Sequence, residues 1–137
     1  MGGIRVLIVE DDMLIAADVE EALVECGCEV CGVAHSQILA LVLAERTKPD
    51  FAVVDVELAP GDGRIVAKEL ADRYGTAVLF ATGHSADLEA LARCGARGCL
   101  PKPYHSDEVM PALLAMRDIR AGRASDASSG RMIVLTP

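Results

Sequence analysis

A chain of 137 residues fits one domain, and at that size roughly two thirds of the unfolded surface can be buried, so neither a disulfide nor a metal is needed as a staple. The formal charge of −8 and a pI near 4.8 oppose binding to nucleic acid or to an anionic membrane through bulk electrostatics. Apolar residues make up 52% but aromatics only 3%, so the core must be aliphatic, and no apolar stretch approaches the ~20 residues that span a bilayer.

The first strand signal begins almost at Met1, with no signal-peptide pattern before it. The apolar run over 4–9 reads as that strand and ends in Glu10-Asp11-Asp12. A helix is expected over about 13–26, with Ile15, Val19, Leu23 and Cys26 on one face and Gly27 as its stop. A short strand over 29–33 follows. Ser36 is placed to cap a second helix that runs to about Lys48, just before Pro49. Phe51-Ala52-Val53-Val54-Asp55 is a third strand, followed by a loop over 57–63 dense in turn residues. A third helix over 63–74 stops at Gly75. Next come a strand over 77–81, a helix capped by Ser85 and ending near Cys94, and a strand over 97–100. Pro101-Lys102-Pro103 then leads to a last helix over about 106–120. Pro111 fits badly inside it, lacking an N–H, so the helix either kinks there or becomes regular near it.

Five strands alternating with five helices predict an α/β fold: a doubly wound, five-stranded parallel sheet with helices on both faces. The near-continuous apolar strands agree, since a strand covered on both faces loses its alternation. The domain is expected over 1–120. From 121 to 137 the composition turns to Gly, Ala and Ser and reads as a flexible tail. Its end, Met132-Ile133-Val134-Leu135, is apolar enough to add to a sheet edge or a partner.

Five cysteines, Cys26, Cys28, Cys31, Cys94 and Cys99, are an odd count, which with no signal peptide favours a reducing cytoplasm. Cys26-x-Cys28-x-x-Cys31 has a spacing reminiscent of metal ligands. Free Cys behaves as a small buried hydrophobe, however, and a turn at Gly27 from helix to strand would scatter the three thiols.

In an open α/β sheet, ligands bind at the carboxyl ends of the strands. Four strand ends here carry polar groups: Glu10, Asp11 and Asp12; Asp55; Thr82, followed by Gly83; and Lys102. Converging carboxylates repel unless a cation sits among them, and hard oxygen donors suit Mg²⁺. A carboxylate nucleophile, a metal cage, a hydroxyl and an ammonium are what acyl-phosphate chemistry requires. Taken singly, each residue has an ordinary reading: Asp55 as a strand-end turn, Asp12 as a helix cap, Thr82 as a local turn, Lys102 as a solvated lysine. Four suitable strand ends together are a much rarer coincidence.

The combination of Val9-Glu10-Asp11-Asp12, Asp55, Thr82-Gly83 and Leu100-Pro101-Lys102-Pro103 resembles the response-regulator receiver domains of the CheY-like superfamily over about residues 4–119. The resemblance implies a flavodoxin-like sheet of order 2-1-3-4-5. It implies Asp55 as phosphoacceptor, with Thr82 and Lys102 on the phosphoryl oxygens. It also implies Mg²⁺ held by Glu10, Asp11, Asp55 and the backbone carbonyl of Glu57. Receiver domains usually carry Tyr or Phe three residues before the lysine, a ring that swings inward on activation. Here that residue is Cys99, and Tyr104 does not replace it by position. Phe80-Ala81-Thr82-Gly83 is similar to the FAT GUY single-domain regulators, which also lack the ring. Their resemblance implies a sensor histidine kinase, often of the HWE type, as partner, and bacterial stress signalling as a setting.

The expected function is that of a stand-alone receiver in a two-component phosphorelay. It is expected to take up phosphate stoichiometrically rather than turn over a substrate, and to lack an output domain, since fewer than twenty residues follow position 120. It would signal through an unknown downstream protein, by way of the last strand and the helices beside it, or drain phosphate from its kinase. No nucleic acid or membrane is expected as a partner. Phosphorylation is expected to order the 82–87 loop and the fourth helix, with His84 facing the phosphoryl group or the solvent above it. A haloacid-dehalogenase-like phosphotransferase would also use a strand-end Asp, but it wants a second acid two residues on, where Glu57 is a poor match. A pseudo-receiver that never carries phosphate would not need the intact acceptor set. An FMN-binding flavodoxin would want a Ser/Thr-rich phosphate loop.

Overall fold

The computed structural model describes residues 3–83, 87–122 and 131–135. Strand β1 (Arg5–Val9) is followed by α1 (Met13–Glu25), β2 (Glu29–Ala34), α2 (Gln37–Thr47), β3 (Phe51–Asp55), α3 (Gly63–Tyr74), β4 (Ala77–Thr82), α4 (Leu88–Arg93) and β5 (Gly98–Pro101). A 3₁₀ turn (Ser106–Glu108), α5 (Val109–Arg120) and β6 (Ile133–Val134) complete the fold. The sheet order is β2-β1-β3-β4-β5-β6, with β1 to β5 parallel as expected.

Strand residues alternate between two aliphatic cores. Leu7, Val9, Ala52, Val54, Val78 and Phe80 face α2, α3 and α4, while Val6, Ile8, Val53 and Leu79 face α1 and α5. Each fully buried aliphatic side chain contributes about 1.5–3 kcal/mol relative to exposure. Among the described residues, no helix is long and apolar enough to cross a membrane.

Caps fix the helix starts. Asp12 accepts from the N–H groups of Leu14 and Ile15, and Ser36 from that of Leu39. The fourth helix is capped by Asp87, which accepts from Glu89 and Ala90, rather than by Ser85. Ser85 and His84 lie outside the described residues. Pro111 is the third residue of α5, in the first turn, where its missing N–H has no helical partner to lose. The last helix therefore starts as a 3₁₀ turn and becomes regular two residues before Pro111.

The thiols scatter. Cys26 is exposed, Cys28 is buried with its Sγ 3.3 Å from Met110 Sδ, and Cys31 is left out of register by a bulge between Val30 and Gly32.

The five-stranded expectation needs one correction. Residues 131–135 do not belong to a flexible tail: β6 pairs antiparallel with β5, Gly98 opposite Val134 and Cys99 opposite Ile133. Met132 and Leu135 are buried, one in each core. Gly98 makes this possible, because a β-carbon there would press on Met132 Sδ at 2.8 Å. Arg131 fastens the segment, donating to both carboxylate oxygens of Glu108 at 2.8 and 2.9 Å and to the Pro103 carbonyl at 2.8 Å.

Candidate functional site

Register brings the site together. Val9 lies opposite Val54, Asp55 opposite Ala81 and Thr82 opposite Pro101, so β1, β3, β4 and β5 end along one edge of the sheet. The chain leaving each strand stays on that edge through backbone bonds from Val56 N to Ala81 O and from Lys102 N to Thr82 O. The N-terminus of α3 lies close against β3: a β-carbon at Gly63 would collide with the Asp55 carbonyl oxygen.

Glu10, Asp55 and Thr82 are buried, each 4–6% exposed, and Asp11 is half-buried. Oxygens of Glu10, Asp11 and Asp55 lie within 4.8 Å of one another, the only such ligand group among the described residues. Asp55 Oδ1 accepts from Lys102 Nζ at 3.0 Å and from the Glu57 N–H at 3.0 Å. Glu10 accepts from the Asp12 N–H at 2.9 Å, and Asp11 from the Ala59 N–H at 3.2 Å.

Burial pushes the Glu10 carboxyl far above the ordinary carboxylate range, and the Asp55 charge acts in the same sense. Burial alone would lower Lys102, but its hydrogen bond to Asp55 and the surrounding carboxylates lift it above its ordinary value. Three acidic side chains thus share this edge with one lysine, and burial and mutual repulsion oppose their being charged together. Three hard oxygen donors at this spacing fit a small divalent cation that keeps several waters.

The site residues expected from sequence, Glu10, Asp11, Asp55, Glu57, Thr82 and Lys102, converge on this edge. The Glu57 side chain does something the sequence did not signal. It turns to β4, accepting from Thr82 Oγ1 at 3.1 Å and from the Gly83 N–H at 3.0 Å. Cys99 is buried, and burial followed by the Glu57 charge pushes its thiol up to about 11. Tyr104 packs with the α1/α5 core and lines a cleft of about 360 Å³ with Ile15, Gly83 and Lys102.

The response regulator receiver domain model matches residues 6–114, most of the chain. The protein therefore belongs to that family. The transcriptional regulatory protein PdtaR of Mycobacterium tuberculosis is 39% identical over 111 residues, covering 80% of this chain and 54% of the relative. The sensory transduction protein BceR of Bacillus subtilis is 28% identical, over 82% and 49% respectively. The chain thus spans about half the length of the curated relatives it matches.

Among solved structures, the receiver domain of NarL from Mycobacterium tuberculosis superposes with a TM-score of 0.78 at 29% identity, over 90% of this chain and all of that one. A CheY-like receiver from Methanospirillum hungatei reaches 0.80 at 22% identity, over 88% and 98%, which speaks for the fold alone. A Burkholderia pseudomallei response regulator, described with a phosphorylated aspartic acid and a calcium ion, matches with a TM-score of 0.75 at 25% identity, over 87% of this chain and 72% of that one.

Proposed function

We propose that this receiver accepts a phosphoryl group on Asp55 from a sensor histidine kinase, with Mg²⁺ as cofactor. The observation that carries the reading is Asp55 itself. It is buried at the end of β3, its Oδ1 lies 3.0 Å from Lys102 Nζ, and Glu10 and Asp11 stand beside it. The phosphorylated aspartate described for the Burkholderia relative supports the same chemistry.

An Asp55 carboxylate oxygen attacks the phosphorus of a phosphohistidine. The O–P bond forms as the P–N bond breaks, and the electron pair leaves with the imidazole nitrogen, which takes up a proton. Glu10, Asp11, Asp55 and the Glu57 carbonyl would hold the metal, which when bound neutralises the phosphoryl oxygens. Lys102 stabilises the same oxygens from the β5 side, and Thr82 donates a hydrogen bond from β4. Hydrolysis by water releases phosphate and restores Asp55, so phosphate is carried stoichiometrically.

Phe80-Ala81-Thr82-Gly83 and the missing ring at Cys99 favour a kinase of the HWE type, with the bacterial cytoplasm as the setting. The receiver signals by contact with a downstream protein or acts as a phosphate sink, with neither nucleic acid nor membrane as its own partner. Incubation with Mg²⁺ and acetyl phosphate, followed by intact mass measurement, tests the central step. One added phosphoryl group that is lost on hydrolysis is expected. No adduct in the presence of Mg²⁺ would refute it.

A further inference from the structure

We propose that Glu57 is a positioning residue that holds the two donors at the end of β4 in the resting protein and yields them to the phosphoryl group, a movement that replaces the ring absent at Cys99. The proposal rests on the reading of Asp55 as phosphoacceptor.

Both oxygens of the Glu57 carboxylate are engaged, Oε2 by the Thr82 hydroxyl and Oε1 by the Gly83 N–H. The main-chain N–H of the same residue is bonded to Asp55 Oδ1. One residue therefore ties the acceptor carboxylate to the end of β4. A hydroxyl and an amide each have a single proton to donate. A phosphoryl group on Asp55 that takes those protons must take them from Glu57, and the exchange is exclusive. Like charge acts in the same direction, since an added phosphoryl brings about 1.5–2 negative charges beside a carboxylate already in place.

The displaced side chain has somewhere to go. A cleft of about 440 Å³ opens beside it, lined by Glu57, Thr82, Asp62, Arg64, Asp87 and Leu91. Arg64 lines that cleft in a bidentate pair with Asp62, which a second carboxylate could share, and Leu91 is a buried residue of α4. Asp87 is the cap of α4. A carboxylate moving into the cleft thus meets the cap and first turns of the helix expected to respond. At position 99 a swinging ring would need an aromatic side chain; the thiol there is small and buried, on a residue that stands opposite Phe80 and Ile133 in the register of the neighbouring strands.

Beryllofluoride, which mimics an aspartyl phosphate, titrated with Mg²⁺ into the ¹⁵N-labelled full chain tests the exchange. In Glu57→Ala, the resting Gly83 amide should move toward its position in loaded wild type. Beryllofluoride should bind about tenfold tighter, the factor expected when one charge-assisted competitor is removed. Glu57→Gln keeps an acceptor but loses the charge. Its resting Gly83 amide should stay near the wild-type position while affinity still rises, which also serves should the alanine variant fold poorly. In a Thr82→Ala background the gain from Glu57→Ala should shrink. Variants that load with affinity within about twofold of wild type, with Gly83 unmoved in Glu57→Ala, would overturn the exchange and leave the acceptor reading intact. A wild type that binds Mg²⁺ yet loads neither beryllofluoride nor acetyl phosphate would overturn the acceptor reading, and the exchange with it.

Discussion

One oxygen of Asp55 accepts from both Lys102 and the Glu57 backbone, so a substitution there tests nucleophile and scaffold separately. Asp55→Asn keeps the shape and removes the nucleophile. It should abolish the acid-labile phosphoryl adduct, and intact mass should show no labelling; full labelling at another residue would refute the assignment. Gly63 is a second test. Its missing β-carbon lets the start of α3 lie against the Asp55 carbonyl, and backbone there cannot move aside as a flexible side chain would. Gly63→Ala should cost about 1–3 kcal/mol in denaturant unfolding and slow acetyl-phosphate labelling, whereas unchanged values for both would contradict the close approach. At this scale Glu10, Asp11, Asp55, Thr82 and Lys102 were legible because each sits at the end of an apolar run, a local pattern. The Glu57 side chain was not, because its partners lie 25 and 26 residues away and nothing local announces them. Asp87 was passed over for Ser85 because either residue type caps a helix, and only the backbone decides which one sits at the right offset.

Among the elements, strands β1 to β5 and the helices between them follow from apolar periodicity, glycine stops and caps. Strand β6 was legible only as an apolar end able to join a sheet edge or a partner. Its two residues, Ile133 and Val134, form too short a run to choose between these, and the segment is held by its neighbours: Met132 beside Gly98, Leu135 in the other core, Arg131 on Glu108. The Arg131 side chain holds Glu108 at about 2, helped by the His105 N–H, against an ordinary 4.5. A carboxyl depressed in the folded state contributes stability that is complete above its unfolded value and is lost as pH falls toward the folded one. The difference in unfolding free energy between wild type and Glu108→Gln should therefore be flat above pH 4.5 and shrink between 4.5 and about 2. A gap that instead widened on acidification would show that the Arg131–Glu108 pair does not hold the segment.

Across the whole molecule the net charge is −8, and at one sheet edge three carboxyl groups share a single lysine. Mg²⁺ should stabilise the fold, with the relief of their mutual repulsion contributing to its affinity. At a hundredfold excess over its Kd the gain is about 2.7 kcal/mol, enough for a rise of several degrees in Tm. An unchanged Tm at saturating Mg²⁺ would contradict the metal reading, and Asp11→Ala should blunt the rise. The final strand has a consequence beyond the phosphoryl site. By pairing with Gly98 and Cys99 it leaves β5 with a neighbour on each side, so the sheet does not present that row of backbone donors and acceptors to other molecules. A chain shortened to end at Gly122 would bare this row, together with the apolar surface that Met132 and Leu135 cover, and the natural complement of one such rim is the same rim on another copy. Sedimentation velocity of the shortened chain should show concentration-dependent dimers that the full chain does not form, and a shortened chain that stayed monomeric across the same range would show that β6 is not what keeps these molecules apart.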